Sequence, residues 1–266
     1  MASWSSPLGR ASAWTLIGVV LAALYLPMVP PLLFSLNDAG PVAALHEPTL
    51  HWYAAIWKNG VLVGAVWTSV AAAVIVGLVA STLGLLAAMA VRELKMRRLV
   101  LLLILMPLFI PGVSMGLSSA LFFRQSGISP SLFTISIVQV LWALPFATLI
   151  ILTVMATFDP VYLEAAYMHG ANRWQAFRDV ELPLISPGII GAATFAMILS
   201  FNETERTALV QGALNTVQTY IWSTYKQIGL SPSLYALMSL LILLTLAMVV
   251  LFMAAAFWRE RLRKSA

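Results

Sequence analysis

Charged residues cut this chain into long apolar stretches, and the lengths of those stretches predict its elements. Six runs between consecutive charges, 11–37, 59–91, 99–123, 125–158, 182–202 and 227–258, can each supply the roughly 20 apolar residues an α-helix needs to cross the hydrocarbon core. They place membrane-spanning helices at about 14–36, 61–91, 99–123, 131–157, 186–202 and 234–257. A seventh charge-free stretch, 207–225, is interrupted by Thr207, Gln211, Asn215, Thr216, Gln218 and Thr219. So many polar groups are costly in lipid, and the stretch reads as partly surface or re-entrant structure. The expected fold class is therefore all-α: a polytopic membrane protein with six transmembrane helices.

Several of these helices carry residues that a plain lipid-facing rod does not need. The first ends with Pro27, Pro30 and Pro31; the third holds Pro107, Pro111, Gly112, Ser114, Gly116, Ser118 and Ser119; the fourth holds Trp142 and Pro145. Proline within a span frees backbone groups that must find partners in protein or cavity water. Ser114 and Trp142 are accordingly candidates for a translocation pathway, with a kink at a helix contact as the plainer alternative. Gly112 and Gly116 form a G-x-x-x-G pair, which favours close helix packing over a cavity wall. The small residues Ala73, Gly77, Ala80, Ser81 and Gly84 suit tight contacts in the same way.

Composition removes whole classes of function. Of the 266 residues, 61% are hydrophobic and 9% charged, too greasy for a soluble domain or a disordered chain. The absence of cysteine excludes disulfides, thiolate metal sites and a cysteine nucleophile. With both termini inside, 11 of the 15 Lys and Arg residues fall on the cytoplasmic side: Arg10, Arg92, Lys95, Arg97, Arg98, Arg173, Arg178, Arg259, Arg261, Arg263 and Lys264. That bias is the one insertion imposes. The net charge of +5 thus reflects topology, and no cluster of basic residues with aromatics suggests a nucleic-acid partner. The run after Arg10 is longer than a signal-peptide core and reads as a retained first span.

The loop over 158–187 is long and well punctuated. Asp159 is placed to cap a helix over Pro160–His169 that Gly170 ends. Asn172 and Gln175 make a capping-box pair that opens a second helix, which Pro183 is expected to stop. Trp174 and Phe177 would share one face of it. Ala165 and Ala166 keep the first helix thin enough to enter a groove, Gly170 permits a sharp turn, and Glu164 supplies a charge. An ordinary connection needs no such elbow.

Glu164-Ala165-Ala166, then Gly170, Val180 and Leu182-Pro183 at the spacing E-A-A-x3-G-x9-V-x-L-P, resembles the EAA loop of permease subunits of binding-protein-dependent ABC importers. Val180 stands where that family usually has isoleucine. The resemblance implies the type I importer permease fold, with 1–266 as one transmembrane permease domain and 158–187 as its cytoplasmic coupling loop. It implies that Glu164, Ala165, Ala166, Gly170, Ala171, Leu182 and Pro183 couple the chain to a cytoplasmic ABC ATPase dimer, where ATP and Mg would bind, with no cofactor in this chain. It also implies a second, different homologous permease subunit, an extracytoplasmic solute-binding protein and a place in the bacterial inner membrane among lipid. Ser200-Phe201-Asn202-Glu203, Gly212, Gly229-Leu230-Ser231-Pro232 and Ala236-Leu237 are similar to the second permease of spermidine/putrescine-type importers. That branch often has acidic residues where Asn202 and Glu203 stand.

Other chemistries find no foothold. A Walker A loop needs Gly-Lys, and no such pair occurs; ATP must be bound by another polypeptide. His46, His51 and His169 lack metal-ligand spacing, and neither H-E-x-x-H nor G-x-S-x-G is present. An ion-coupled secondary carrier would place charges deep within spans, whereas the six runs contain none. Asn202, Glu203 and Glu205 at the end of the fifth span are the remaining pathway candidates. Two acids against Arg206 favour an amine-bearing solute such as a polyamine, with an amino-acid derivative or organophosphonate as alternatives. Pairing of Arg206 with a neighbouring acid at an exposed helix end is the competing account of the same residues.

Overall fold

The computed structural model describes residues 7–37, 48–94, 97–243, 245–247 and 250. The basic tail Arg259–Lys264, Lys95, His46 and positions 251–257 of the expected sixth span lie outside the described residues. The described chain is helical: α1 (Pro7–Tyr25), α2 (Val29–Phe34), α3 (His51–Lys58), α4 (Gly60–Glu93), α5 (Arg97–Leu105), α6 (Gly112–Gln125), α7 (Leu132–Ala156), α8 (Val161–Met168), α9 (Arg173–Gln175), α10 (Leu182–Phe201), α11 (Glu205–Val210) and α12 (Val217–Ile228).

Four helical runs are long and apolar enough to cross a membrane: Arg10–Phe34, Gly60–Glu93, Leu132–Ala156 and Arg173–Phe201. The first, second and fourth expected spans are found within a few residues of their predicted ends. The third is not one rod: Arg97–Phe109 and Gly112–Gln125 meet at 99°. Ile110, before Pro111, is extended at φ −89° and ψ 124°, the conformation a following proline ring imposes. At about 1.5 Å per residue, neither limb alone covers a hydrocarbon core of about 30 Å. The described part of the sixth expected span begins as the apolar helix Pro232–Ala247.

The fifth span is longer than expected, because Pro183 does not stop the helix that Asn172 opens. A wider turn of π-helix over Ala176–Glu181 leads straight into α10, with Pro183 in its first turn. That turn absorbs the missing N–H and ring clash that would break a regular helix. The result is one 29-residue rod, Arg173–Phe201.

The chain divides into two compact units, one formed by Met1–Asn59 with Thr224–Ala266 and one by Gly60–Ser223. In the first, the Tyr53 hydroxyl lies 2.8 Å from both Ser35 Oγ and Ser239 Oγ, and the Phe34 and Tyr235 rings are 5.4 Å apart. In the second, α4, α7 and α10 pack around Val76, Ala80, Ala143, Ala147, Ile151, Ile185, Ala192 and Ala196. Small residues set the spacing: a Cβ on Gly84 would come within 3.1 Å of the Ala147 backbone, and one on Gly188 within 2.7 Å of Val154. The stripe of small residues expected along α4 is therefore a helix-contact surface, as in other membrane bundles.

Candidate functional site

The elbow folds as its local chemistry dictates. The Asp159 carboxylate accepts a 3.0 Å bond from the Val161 N–H, so it caps α8 although the regular helix starts one residue later than expected. Gly170, at φ +84°, donates to the Tyr167 carbonyl at 2.9 Å while Ala171 donates to Ala166 at 3.1 Å. These two bonds make a Schellman ending that uses the left-handed backbone glycine tolerates. The Asn172–Gln175 capping box is present in both directions, each bond 2.9 Å. Trp174 and Phe177 do share a face, their centroids 5.8 Å apart.

The arms of the elbow leave their larger side chains uncovered. Met168 is 87% exposed and Trp174 65%, with Val161, Tyr162 and Tyr167 also exposed. Glu164 and Ala165 are exposed and Ala166 is half-buried. Leu182 and Pro183 lie not on a separate loop but in the first turn of α10. Just before them Glu181 is buried and takes a two-pronged ion pair from Arg92 at the end of α4, through Nη1 and, at 3.4 Å, Nη2. Sequence reasoning counted Arg92 only as a topological charge. The missed signal was the acid between Val180 and Leu182 that opens the apolar run 182–202, since a charge that is buried needs a partner.

At the far end of the same rod lies a buried polar junction. The Glu203 carboxylate accepts the backbone N–H of Arg206 at 2.8 Å and its Nη1 at 2.6 Å. The Arg206 guanidinium carbon sits 4.0 Å from the Trp142 ring centre, a cation–π contact. Gly112 and Gly116 let α11 approach α6: a Cβ on Gly112 would meet Glu205 Oε2 at 2.5 Å, and one on Gly116 the Arg206 Cα at 3.0 Å. The G-x-x-x-G pair is thus a packing motif. Ser200 Oγ donates to Gln139 Oε1 at 2.6 Å, and Gln139 Nε2 donates to Thr207 Oγ1 at 2.8 Å. Gln139 is the sole amide side chain in α7, which was the sequence signal for this link.

Of the pathway candidates, Trp142 and Glu203 meet at Arg206. Asn202 is exposed, and its amide donates to the Ile198 carbonyl of its own helix at 2.9 Å. Glu205 is exposed beside Gly112, and Ser114 is exposed on α6. The alternative pairing of Arg206 with an acid is the arrangement found, but at 6% and 7% exposure for Glu203 and Arg206 it is buried and not at an open helix end. The segment 207–225 also turns inward. Thr207, Val210, Thr216, Val217 and Thr219 are buried, and the Val217 N–H donates to Ser69 Oγ at 2.8 Å. Among the described residues no group of three His, Asp or Glu side chains converges as a metal site.

The family of binding-protein-dependent transport system inner membrane components matches this chain over residues 80–264. The chain belongs to that family. Its sequence is 28% identical over 236 residues to the spermidine/putrescine transport system permease protein PotC of Haemophilus influenzae, covering 88% of this chain and 91% of PotC. It is 27% identical over 219 residues to the putative 2-aminoethylphosphonate transport system permease protein PhnV of Salmonella paratyphi A, covering 79% of this chain and 80% of PhnV. The solved bacterial alginate ABC transporter, in complex with its alginate pentasaccharide-bound periplasmic protein, has a chain that superposes with a TM-score of 0.68 at 18% identity, covering 92% of each. The expected importer permease fold is borne out. The chain is a multi-pass inner-membrane permease subunit of an ABC importer, a transport component.

Proposed function

We propose that this permease forms half of a translocation pathway for a polyamine or related small amine, and that its elbow seats on a cytoplasmic ATPase. Similarity to PotC over nearly all of both chains carries the solute reading. The local charge does not add to it, because Glu203 is occupied by Arg206 and only Glu205 offers an exposed carboxylate nearby. In this reading all of 1–266 forms one permease domain of six spans. Both termini and the elbow face the cytoplasm, and a second homologous permease completes the pore. An extracytoplasmic solute-binding protein delivers the solute, and ATP with Mg is bound and hydrolysed on the partner ATPase dimer.

The elbow supports the coupling role by its shape. Exposed Met168 and Trp174 supply apolar contact area and Glu164 a charge, while Gly170 and Ala171 hold the turn. Leu182 and Pro183, inside the rod, carry displacement from the elbow into the membrane. The ATPase changes the permease only through contacts that differ between two pore states, and a rod continuous with the docking surface supplies such a contact. The likeness to PhnV favours an organophosphonate as the second reading.

Reconstituting the permease pair with its ATPase and binding protein, and measuring uptake of labelled putrescine, spermidine and 2-aminoethylphosphonate, tests the solute. ATP-dependent uptake of either amine in preference to the phosphonate is expected. The reverse preference selects the second reading, and a working complex that ignores all three removes both.

A further inference from the structure

The rod Arg173–Phe201 meets α4 in two ways. Along most of its length the contact is between small or apolar side chains; at Gly77, for example, a Cβ would strike the Met197 side chain at 2.5 Å. Such surfaces fix how near two helices lie, but they allow sliding, because one methyl-sized group is much like the next. At the elbow end the contact changes character. Glu181, the last residue of the π-turn, has a side chain only 3% exposed, and both of its oxygens face the Arg92 guanidinium. A forked pair of this kind is directional and specifies register.

The surroundings of Arg92 extend the contact. Its Nε donates to Glu93 at 3.0 Å, and its backbone carbonyl accepts a 3.2 Å bond from Arg97 Nη2 at the start of α5. One buried carboxylate on the rod therefore holds the corner where α4 ends and α5 begins. The π-turn itself is an irregular element of the kind often found at functional sites, and it lies between the elbow's exposed surface and this pair.

We propose that the Arg92–Glu181 pair is the positioning contact through which displacement of the elbow moves α4. This deepens the coupling role given above and rests on it. When the elbow is pushed, the rod carries Glu181 with it, and the fork draws the end of α4 along. Without the pair, the elbow still docks and ATP is still hydrolysed, but α4 no longer follows the rod. Glu181 and Arg92 are thus positioning residues: they touch neither nucleotide nor solute.

The test uses the complete complex with the binding protein charged with spermidine. Three quantities are read: ATPase retained on the purified permease, hydrolysis without binding protein, and the stimulation that the charged binding protein adds. Glu181→Gln is expected to retain the ATPase and the unstimulated rate while losing about tenfold in stimulation, within the range by which coupling contacts act. Arg92→Lys, which keeps the charge but not the fork, should lose less. The exchange Arg92→Glu with Glu181→Arg should recover much of the loss, which a general packing defect would not do. Wild-type stimulation in Glu181→Gln and Arg92→Lys alike would overturn the proposal. So would the failure of every variant to accumulate in the membrane, which would make the pair an element of folding alone. A wild-type chain that retains no ATPase would instead count against the coupling role itself.

Discussion

The two ends of the rod Arg173–Phe201 use polar residues in opposite ways. At the elbow end, Glu164, Arg173 and Arg178 are exposed around uncovered Met168 and Trp174, and only the Glu181–Arg92 pair is turned inward. At the other end, Glu203, Arg206, Gln139, Ser200 and Thr207 are all buried, with Glu203 paired to Arg206 and Gln139 bridging Ser200 and Thr207. A surface kept apolar and uncovered is suited to a partner. A set of polar groups paired inside the chain is suited to holding helices in one arrangement, because a disturbance strands a buried donor or acceptor. Candidate chemistry at the second end thus turns out to be architecture, while the end with less conspicuous chemistry carries the surface proposed to seat the ATPase.

Substitutions at the buried junction should break this contrast most sharply. Glu203→Gln strands the Arg206 guanidinium, and loss of one partner of a buried pair costs about 3–5 kcal/mol. The midpoint of unfolding in detergent should fall steeply, and Glu203→Gln with Arg206→Met should recover most of the fall. A loss below about 1 kcal/mol would show that the pair behaves as a solvated one. Gly116→Val forces a side chain into the 3.0 Å approach of the Arg206 Cα and should cost about 1–3 kcal/mol by overpacking. The same readout checks it, and an unchanged midpoint would mean that α11 can move off α6 freely. Gln139→Leu removes two side-chain bonds in a membrane bundle, where each is worth about 0.6 kcal/mol, so a fall of about 1 kcal/mol is expected. Met168→Ala and Trp174→Ala, by contrast, should shift the midpoint by less than about 0.5 kcal/mol and yet weaken ATPase retention.

The legible parts of the molecule were those set by local chemistry. The apolar runs fixed three of the spans, the caps at Asp159, Gly170 and Asn172 fixed the elbow, and Gly112 with Gly116 announced a close contact. The misread parts depend on neighbours far along the chain or on rarer backbone. Pro183 reads as a stop because a regular helix cannot hold it in its interior, but a π-turn ahead of it can make room. Pro111 breaks the third span by 99°, and from the residues alone a bend and a plain kink look the same. Glu203 and Arg206 lie beyond the last apolar residue of their run and so resemble a wet helix end. The fold brings α6 and Trp142 against Arg206, and the pair is buried. Arg92 and Glu181 are 89 positions apart, and nothing local to either names the other.

The central claim is that the elbow is the seat of a separate ATPase, and one measurement addresses it directly. The permease, carrying an affinity tag, is co-expressed with its ATPase, extracted in mild detergent and weighed for ATPase retained, wild type against Gly170→Val. A β-branched residue at φ +84° is strained by at least about 1–2 kcal/mol and should open the turn between α8 and the rod while leaving the buried bundle intact. The wild type should retain the ATPase, and Gly170→Val should accumulate to a similar level and lose most of it. Equal retention by both chains, or none by the wild type, would contradict the account.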